Sequence, residues 1–336
     1  MKSCYVELTG IGKSELKEEE ISLENLEADE VVVKTEYSLI SAGTELSRAY
    51  GLKKGFTFPV RPGYSAVGRV IAKGKDVDVE INDRVYVNGP HASIIRWHSR
   101  DKVQGPWIMK LPEEIDPKQA TILNLLLVAM QGVNLSEVKL GYTVGVFGLG
   151  NIGILTALLY QKLGCRVIGL DPVEHRCYLA EKLGIKDTIS ASSQKEKINE
   201  LTIGKGLDIA VDVTGLSPVI VNCIENTSAY GQVLLLGSPR QSHEADLMPV
   251  FSAIHMKNLK VIGAFNKTHP VYPTDGSDDS LQRNFQIACD LLINRQIDIE
   301  ELISEVIDPK DCEKAYYRLM YEKETSSCII YDWRNY

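Results

Sequence analysis

A glycine-rich hexapeptide carries the first chemical signal in the sequence. Residues 148–153 read GLGNIG, directly after an apolar, β-branched segment at 143–147 and directly before a helical pattern at 154–163. Gly148 permits a tight turn, Gly150 lets a pyrophosphate approach the backbone, and Gly153 allows the helix to pack closely on the strand. The start of the helix supplies amide donors and the positive end of its dipole. This spacing therefore predicts a dinucleotide site.

An acidic residue stands where such a site meets the adenosine ribose. Asp171 follows the next β-branched segment, 166–170, about 20 residues beyond the glycines. A carboxylate there accepts hydrogen bonds from the ribose hydroxyls and repels a 2′-phosphate, which favours NAD over NADP. Arg176 either binds a 2′-phosphate or packs near the adenine and ribose, and its closeness to Asp171 favours the second role. The competing interpretation is a glycine turn followed by a helix-capping aspartate.

The elements that position this motif alternate between strand and helix. An apolar stretch at 121–130 is too long for a typical strand and predicts a helix. Strands separated by helices predict a doubly wound parallel sheet. The predicted strands are 143–147, 166–170, 207–211 and 232–236. Helices at 279–292 and 308–321 follow, and a strand at 328–331 is expected to dock onto the first domain.

The first 120 residues have a different texture. Strand-like segments at 30–35, 67–71 and 83–88 are separated by Gly, Pro, Asn and Asp. This pattern predicts an antiparallel, barrel-like domain.

Composition limits the class of protein. The 336 residues suffice for about two domains, and the formal charge of −8 disfavours nucleic acid or an anionic membrane as a partner. We expect a cytoplasmic protein without a signal peptide or membrane span. The seven cysteines are scattered and include no C-x-x-C pair, which predicts free buried thiols.

Several motifs together resemble those of a known family. They are SAGTE at 41–45, PGYSAVGRV at 62–70, NDRV at 82–85, GLGNIG at 148–153 and DIAVDVTG at 208–215. In these the chain resembles the medium-chain dehydrogenase/reductase superfamily, which includes zinc alcohol, sorbitol and threonine dehydrogenases. The resemblance implies an α/β protein with a GroES-like β-barrel catalytic domain, residues 1–120 and 266–336, interrupted by a Rossmann NAD-binding domain, residues 121–265.

The positions that bind zinc in this family differ here. Ala42 stands where zinc members have a cysteine, and Tyr64 and Ser65 stand where they have His and Glu. Asn124 aligns with the third ligand, and the four clustered cysteines of the structural zinc are missing. A catalytic zinc needs about three N, S or O ligands. The sequence therefore predicts no metal.

Without a metal, hydrogen-bond donors and a proton relay must polarise the substrate carbonyl. Thr44 matches the family's relay hydroxyl. Tyr64 is a candidate acid/base or oxyanion donor, or else a core tyrosine that fills the volume of the zinc.

Three further residues have two interpretations each. His91 corresponds to a pocket position and suits acid/base chemistry, or it is a structural histidine that bonds to a turn carbonyl. Glu45 orients His91 or Tyr64, or belongs to a structural ion pair. Asn124 donates to a substrate hydroxyl, or caps the apolar helix.

The resemblance also implies contacts to the cofactor. Backbone groups near Leu236, Ala264 and Asn266 would bind the nicotinamide carboxamide, and Ile152 would pack against its ring. Asn151 completes the predicted phosphate-binding helix start.

The resulting expectation is a zinc-independent, NAD-dependent oxidoreductase. It would move a hydride between nicotinamide and a secondary alcohol or ketone, with a sugar-like or cyclitol-like small molecule as substrate. One alternative is a zinc-free quinone or enone reductase, whose usual NADPH preference Asp171 opposes. The other is a non-catalytic cofactor-binding protein. The resemblance further implies a homodimer or homotetramer formed through the Rossmann sheet.

Overall fold

The chain folds into two units in this computed structural model. One unit is Met1–Asn124 together with Lys267–Tyr336, and the other is Leu125–Asn266. The structure describes residues 1–52, 55–99, 107–190, 194–240, 243–265, 270–275 and 279–336.

The helices and strands are numbered here in chain order. Residues 1–120 contain β1 (Lys2–Gly10), β2 (Lys13–Glu20), β3 (Glu30–Leu39), α1 (Thr44–Ala49), β4 (Ala66–Lys73), β5 (Arg84–Val87), β6 (Ile94–His98), β7 (Ile108–Lys110) and α2 (Pro117–Ala120). Next come α3 (Leu123–Leu135), β8 (Thr143–Phe147), α4 (Asn151–Lys162), β9 (Arg166–Leu170), α5 (Glu174–Lys182), β10 (Asp187–Ile189), α6 (Gln194–Leu201), β11 (Leu207–Asp212), α7 (Ser217–Asn226), β12 (Thr227–Leu235), α8 (Met248–Lys257) and β13 (Lys260–Gly263). The last elements are α9 (Leu281–Ile293), β14 (Glu305–Ile307), α10 (Cys312–Tyr321) and β15 (Ile329–Asp332).

A mixed sheet organises the first unit. Its strand order is β14-β15-β3-β4-β5-β7, and β6 also pairs with β3. The β14–β15 pair is parallel, and the other pairs are antiparallel. Val31, Val33, Val70, Val85 and Ile95 share one buried cluster. Full burial of each such side chain stabilises the fold by about 1.5–3 kcal/mol.

The end of the chain completes this sheet. Strand β15 runs antiparallel to β3, with Ile330 opposite Leu39, which confirms the predicted docking of the terminal strand. Helix α10 begins at Cys312 rather than at 308. Pro309 and the Asp308 side chain, which accepts from the Lys310 amide at 3.0 Å, instead form a short 3-10 turn before it.

A parallel sheet organises the second unit. Its order is β10-β9-β8-β11-β12-β13, and every pair is parallel. The chain leaves β8 toward one edge and returns at β11 to build toward the other. The carboxyl ends of β8 and β11 therefore flank the switch point at which ligands bind in such sheets. The predicted α/β class is confirmed.

Two local predictions differ from the structure. Helix α4 begins at Asn151, three residues before the predicted start, because Gly150 already acts as its N-cap. Strand β12 begins at Thr227 rather than 232, although Tyr230 within it has a positive φ of 62°.

The state of the cysteines and the hydropathy of the helices relate to the predictions of free thiols and of no membrane span. All seven cysteines are free, and six of them are buried. In the described part of the chain, no helix combines the length and apolar character needed to cross a membrane.

Candidate active site

The glycine turn after β8 has the geometry that its sequence predicts. Gly148 has φ of +100°, and a Cβ there would lie 2.8 Å from Thr214 Cγ2. A Cβ on Gly153 would lie 1.8 Å from the Gly148 carbonyl oxygen, so helix and turn pack too closely for a side chain. A Cβ on Gly150 would meet nothing within 4 Å among the described atoms. The backbone at Gly150 therefore faces open space where a phosphate could approach.

Helix α4 begins directly at this open turn. Its N-cap, Gly150, has no side chain to cap the first amides, and Asn151 and Ile152 at its start are half-buried. The first four amides of a helix have no acceptor within the helix. This helix start is thus suited to bind phosphate oxygens.

Asp171 connects the end of β9 to the glycine turn. Its buried carboxylate accepts the Leu149 amide through Oδ2 at 2.8 Å and the Val173 amide through Oδ1 at 2.9 Å. Arg176 Nη1 lies 3.3 Å from Oδ2. Three donors thus occupy a group that has about four acceptor sites. The carboxylate shapes the turn and keeps acceptor capacity for a ribose hydroxyl.

The loops after β11 and β12 close around another buried carboxyl group. Asp212 accepts the Thr214 hydroxyl at 2.6 Å and the Thr214 amide at 2.9 Å. Burial raises the pKa of Asp212, and the Thr214 hydrogen bonds oppose that rise. A Cβ on Gly215 would lie 1.9 Å from the Ser238 carbonyl oxygen. The loop backbones therefore approach each other too closely for side chains.

The predicted nicotinamide contacts lie at the ends of the following strands. Leu236 directly follows β12, and its amide donates to the Asp212 carbonyl at 2.9 Å. Ala264 directly follows β13, and its amide donates to the Leu235 carbonyl at 3.0 Å. Asn266 lies outside the described residues.

In the first unit, Glu45 is the centre of a buried hydrogen-bond network. Its Oε1 accepts the Ser41 amide at 2.8 Å. Its Oε2 accepts the Tyr316 hydroxyl at 2.7 Å and lies 2.9 Å from His91 Nε2. Because buried charges need such partners, these contacts hold the end of β3, helix α1, the loop before β6 and helix α10 together.

His91 is enclosed on both sides of its ring. The residue is fully buried, and Nδ1 lies 2.8 Å from Ser38 Oγ. The Tyr331 ring packs edge-on against the imidazole, with 5.0 Å between the two ring centroids. Trp333 Nε1, which can only donate, lies 2.8 Å from the same Ser38 oxygen. Every group is satisfied if Ser38 donates to Nδ1 and Nε2–H donates to Glu45, and we assign that tautomer. In this structure the His91 imidazole is part of the buried core and is not exposed at a surface that a substrate could reach.

Tyr64 lies beside the same network but is only half-buried. Its hydroxyl donates to Ser41 Oγ. Burial raises the pKa of Tyr64, the Ser41 hydrogen bond lowers it, and the charge of Glu45 raises it again. A hydrogen bond with Thr44, which is exposed, further opposes the rise. Tyr64, Ser41 and Thr44 thus form a cluster of hydroxyls, which we call the hydroxyl cluster.

Gly63 allows Tyr64 to take this place. Its φ is +108°, and a Cβ there would lie 2.5 Å from the His91 amide nitrogen. Any side chain would push the Tyr64 segment away from the loop that carries His91.

Ser65 and Asn124 lie in different surroundings. Ser65 Oγ donates to the Thr121 carbonyl and accepts the Tyr86 hydroxyl at 2.7 Å. Asn124 is the second residue of α3 and is half-buried. The contacts of Glu45, His91 and Tyr64 described above do not include it.

The residues at the family's zinc position do not fit a zinc ion. Ala42 offers a methyl group, Tyr64 a neutral phenol already bonded to Ser41, and Asn124 a carboxamide. Such donors do not form the thiolate, imidazole and carboxylate set that zinc requires. Within the described residues, one group of His, Cys, Asp and Glu ligand atoms lies within 4.8 Å of one another: that of Glu27, Asp29 and His98, on the loop before β3 and the end of β6.

Sequence reasoning missed several residues that the fold brings to this site. Ser41 was visible in the SAGTE motif, but no pattern marked its hydroxyl as the partner of Tyr64. Ser38, Tyr316 and Trp333 had no signal at all, because Tyr316 is 271 residues from Glu45 and Trp333 is 295 residues from Ser38.

Comparison with known proteins finds one family model that matches part of the chain and several similar dehydrogenases. Residues 151–280 match the family model described as zinc-binding dehydrogenase, a stretch that excludes Ala42, Tyr64 and Asn124. The chain is 26% identical over 260 residues to D-guloside 3-dehydrogenase of Shigella flexneri, covering 76% of this chain and 72% of that protein. It is 28% identical over 227 residues to D-xylulose reductase A of Aspergillus oryzae, covering 66% of this chain and 59% of that protein.

Solved structures share the fold. The crystal structure of galactitol-1-phosphate dehydrogenase from Escherichia coli superposes with a TM-score of 0.84 at 18% identity, covering 98% of this chain and 99% of that one. The sequence motifs, the family match and the named dehydrogenase relatives agree. The chain is therefore similar to the medium-chain dehydrogenase/reductase superfamily, and its named relatives support an oxidoreductase.

Proposed function

We propose that this protein is a zinc-independent, NAD-dependent oxidoreductase that interconverts a secondary alcohol and a ketone on a small polyhydroxylated substrate. The observation that carries the proposal is the hydroxyl cluster. A half-buried phenol, Tyr64, bonded to Ser41, occupies the position of a metal ligand in a chain whose other unit has a dinucleotide-binding turn.

In the second unit, the chain's own groups favour NAD. The amides at the start of α4 would bind the pyrophosphate, and Asp171 would accept the ribose hydroxyl. Its carboxylate opposes a 2′-phosphate, although Arg176 at 3.3 Å offsets part of that charge. When bound, the cofactor supplies or accepts the hydride.

In the first unit, Tyr64 would manage the proton. In the reducing direction its hydroxyl donates a hydrogen bond to the ketone oxygen and then transfers the proton as that oxygen becomes an alcohol. Ser41 and Thr44 can turn their hydroxyls toward the phenolate that results. Glu45 acts one step away, because it holds the Ser41 amide while His91 and Tyr316 hold Glu45.

The raised pKa of Tyr64 determines which protonation state the phenol has at neutral pH. Burial keeps the phenol protonated, so it is ready to donate to a ketone. Alcohol oxidation needs the phenolate and should therefore accelerate as the pH rises into the alkaline range.

The class of substrate follows from the polar groups and from the relatives. Hydroxyls and a carboxamide offer hydrogen bonds that a simple apolar alcohol would leave unused. D-guloside 3-dehydrogenase and D-xylulose reductase A, as their names state, act on sugars. Both features support a sugar-like or cyclitol-like substrate.

The test combines cofactor binding with turnover by metal-free protein. Protein treated with EDTA and checked by elemental analysis is titrated with NADH and NADPH by fluorescence and then assayed on polyols, ketoses and cyclitols. Tyr64→Phe should lower kcat by about 10²–10⁴-fold without changing NADH affinity. The exposed Tyr321→Phe serves as the matched control.

Three outcomes contradict the proposal in distinguishable ways. Loss of activity on EDTA treatment with recovery on zinc would show a metal enzyme. Preference for NADPH with turnover of enones alone would favour the quinone or enone reductase. NADH binding without turnover of any carbonyl would favour a non-catalytic protein.

A further inference from the structure

An arginine on α1 lies on the same side of the helix as the hydroxyl cluster. Arg48 follows Thr44 by four residues, a spacing that places two side chains on one helical face. Its guanidinium carbon lies 4.8 Å from the centre of the Phe56 ring. Stacking of this kind holds the planar group in one orientation.

This guanidinium has unused hydrogen-bonding capacity. Its Nε is buried and has no hydrogen-bond partner among the described residues. Among the same residues, no carboxylate oxygen lies within 4.0 Å of an Arg48 nitrogen. The carboxylate three residues earlier, Glu45, is already bonded to Ser41, His91 and Tyr316. A guanidinium without a carboxylate partner can pair with an anionic ligand.

The charge of Arg48 acts on the candidate acid/base. It lowers the pKa of Tyr64, opposing the effects of burial and of Glu45. The spacing of Thr44 and Arg48 on α1 and the contact of Thr44 with Tyr64 place both groups around the exposed Thr44.

We propose that Arg48 binds an anionic group of the substrate, a carboxylate or a phosphate, while Tyr64 contacts the reacting oxygen of the same molecule. This inference rests on the proposed function and specifies its substrate as a sugar acid or a sugar phosphate. The planar fork of arginine can donate two parallel hydrogen bonds to either group. Phe56 would hold the fork in place before the substrate arrives.

The experiment uses probes that share a polyhydroxylated carbon chain and differ in one terminal group, which is a neutral alcohol, a carboxylate or a phosphate. D-glucitol, D-gluconate and D-glucitol 6-phosphate, and the corresponding triplets of the galacto and xylo series, are titrated into the full-length protein saturated with NAD. Binding is measured by calorimetry, and turnover is measured where it occurs. Comparison of the gluconate and phosphate arms identifies which anion is recognised.

The variants separate recognition from structure. Arg48→Gln should lower the affinity for the favoured anionic probe by about ten- to hundredfold. The affinity for the neutral alditol should stay within about twofold of the wild-type value. Arg48→Lys, which keeps the charge without the fork, should fall between them. Arg166→Gln, which removes an arginine paired with Asp187 in the second unit, controls for net charge. It should change neither the affinity for the anionic probe nor that for the neutral probe.

Two results would overturn the inference. One is that no anionic probe binds more tightly than its neutral partner in any series. The other is that Arg48→Gln and Arg48→Lys weaken neutral and anionic probes equally. A separate NADH titration distinguishes this failure from failure of the proposed function, because it reports on the second unit alone.

Discussion

His91 Nε2 lies 2.9 Å from Glu45 Oε2, and both side chains are buried. This pair joins the loop before β6 to helix α1, and through Tyr316 it extends to helix α10. Breaking a buried hydrogen bond of this kind is costly because the carboxylate loses one of its donors. The contact therefore favours a structural role for His91 over a role as acid or base.

Replacement of His91 should affect stability more than chemistry. We expect His91→Ala to lower the free energy of unfolding by about 2–5 kcal/mol, because it leaves a cavity and removes buried hydrogen bonds, while kcat per folded molecule stays within a few-fold of the wild type. Tryptophan fluorescence during urea unfolding measures the first effect, since Trp97, Trp107 and Trp333 all lie in the first unit. A stable variant without activity would instead make His91 the acid/base.

Ser41 should tune the pH dependence of alcohol oxidation. Its hydrogen bond lowers the pKa of Tyr64, so Ser41→Ala should raise that pKa and move the alkaline rise of kcat to higher pH. Ser47→Ala is the matched control, since the Ser47 hydroxyl bonds only to the Thr44 carbonyl in the described contacts. Coincident pH profiles for Ser41→Ala and the wild type would remove Tyr64 from the proton path.

Asp171 should control the affinity for NADH. Asp171→Asn replaces one acceptor oxygen by a donor, so the Leu149 or the Val173 amide loses its partner and the ribose loses a charged acceptor. We expect NADH to bind about ten- to hundredfold more weakly and the preference over NADPH to shrink. Fluorescence titration checks both, with the exposed Glu174→Gln as control. Unchanged affinities would show that Asp171 does not contact the ribose.

Buried thiols should make the first unit sensitive to alkali. Burial raises the pKa of Cys328, and of Cys289, to about 12, whereas an unfolded thiol has a pKa of about 8.5. Between these values the unfolded chain releases protons that the folded chain keeps. Stability is therefore complete below about pH 8.5 and falls as the pH rises, by about 1.4 kcal/mol per pH unit for each thiol.

A substitution isolates the contribution of one thiol. Cys328→Ala should reduce this slope by about 1.4 kcal/mol per pH unit, measured by urea unfolding at pH 9, 10 and 11. The partly exposed Cys4→Ala should reduce it less. Equal slopes for wild type and Cys328→Ala would contradict the assignment.

The outer edge of the parallel sheet should mediate self-association. Among the strands that the structure describes, β13 pairs with β12 on one side only, and Val261 on it is 42% exposed. Helix α8 has no buried residues, with Phe251 60% and Met256 74% exposed. An unpaired edge beside exposed apolar side chains favours pairing with another chain.

A charge at this edge tests the prediction. Light scattering after gel filtration should give a dimer or tetramer for the wild type and a smaller mass for Val261→Lys. Leu163→Lys, a comparable change at the end of α4, should leave the mass unchanged. A monomeric wild type would contradict the expectation.

Local sequence determined most of the dinucleotide unit. Strands β8 and β9 match their predicted ends, and the glycines and Asp171 have the expected positions. The reason is physical: each glycine role depends on contacts within one strand-turn-helix segment, and Asp171 ends the next strand. Asn266 lies outside the described residues, and its predicted role stays a prediction.

Only the tertiary structure supplied the partners of this network. Tyr316 bonds to Glu45, and Trp333 bonds to Ser38, which also bonds to His91. Tyr316 and Trp333 lie more than 200 residues away in sequence from these partners and arrive with helix α10 and the segment after strand β15. A hydrogen bond depends on distances of about 3 Å, and no spacing along the chain encodes such a distance between remote segments. The sequence alone determined which groups can do chemistry, and the fold determined which of them are satisfied in the core and which are left to act.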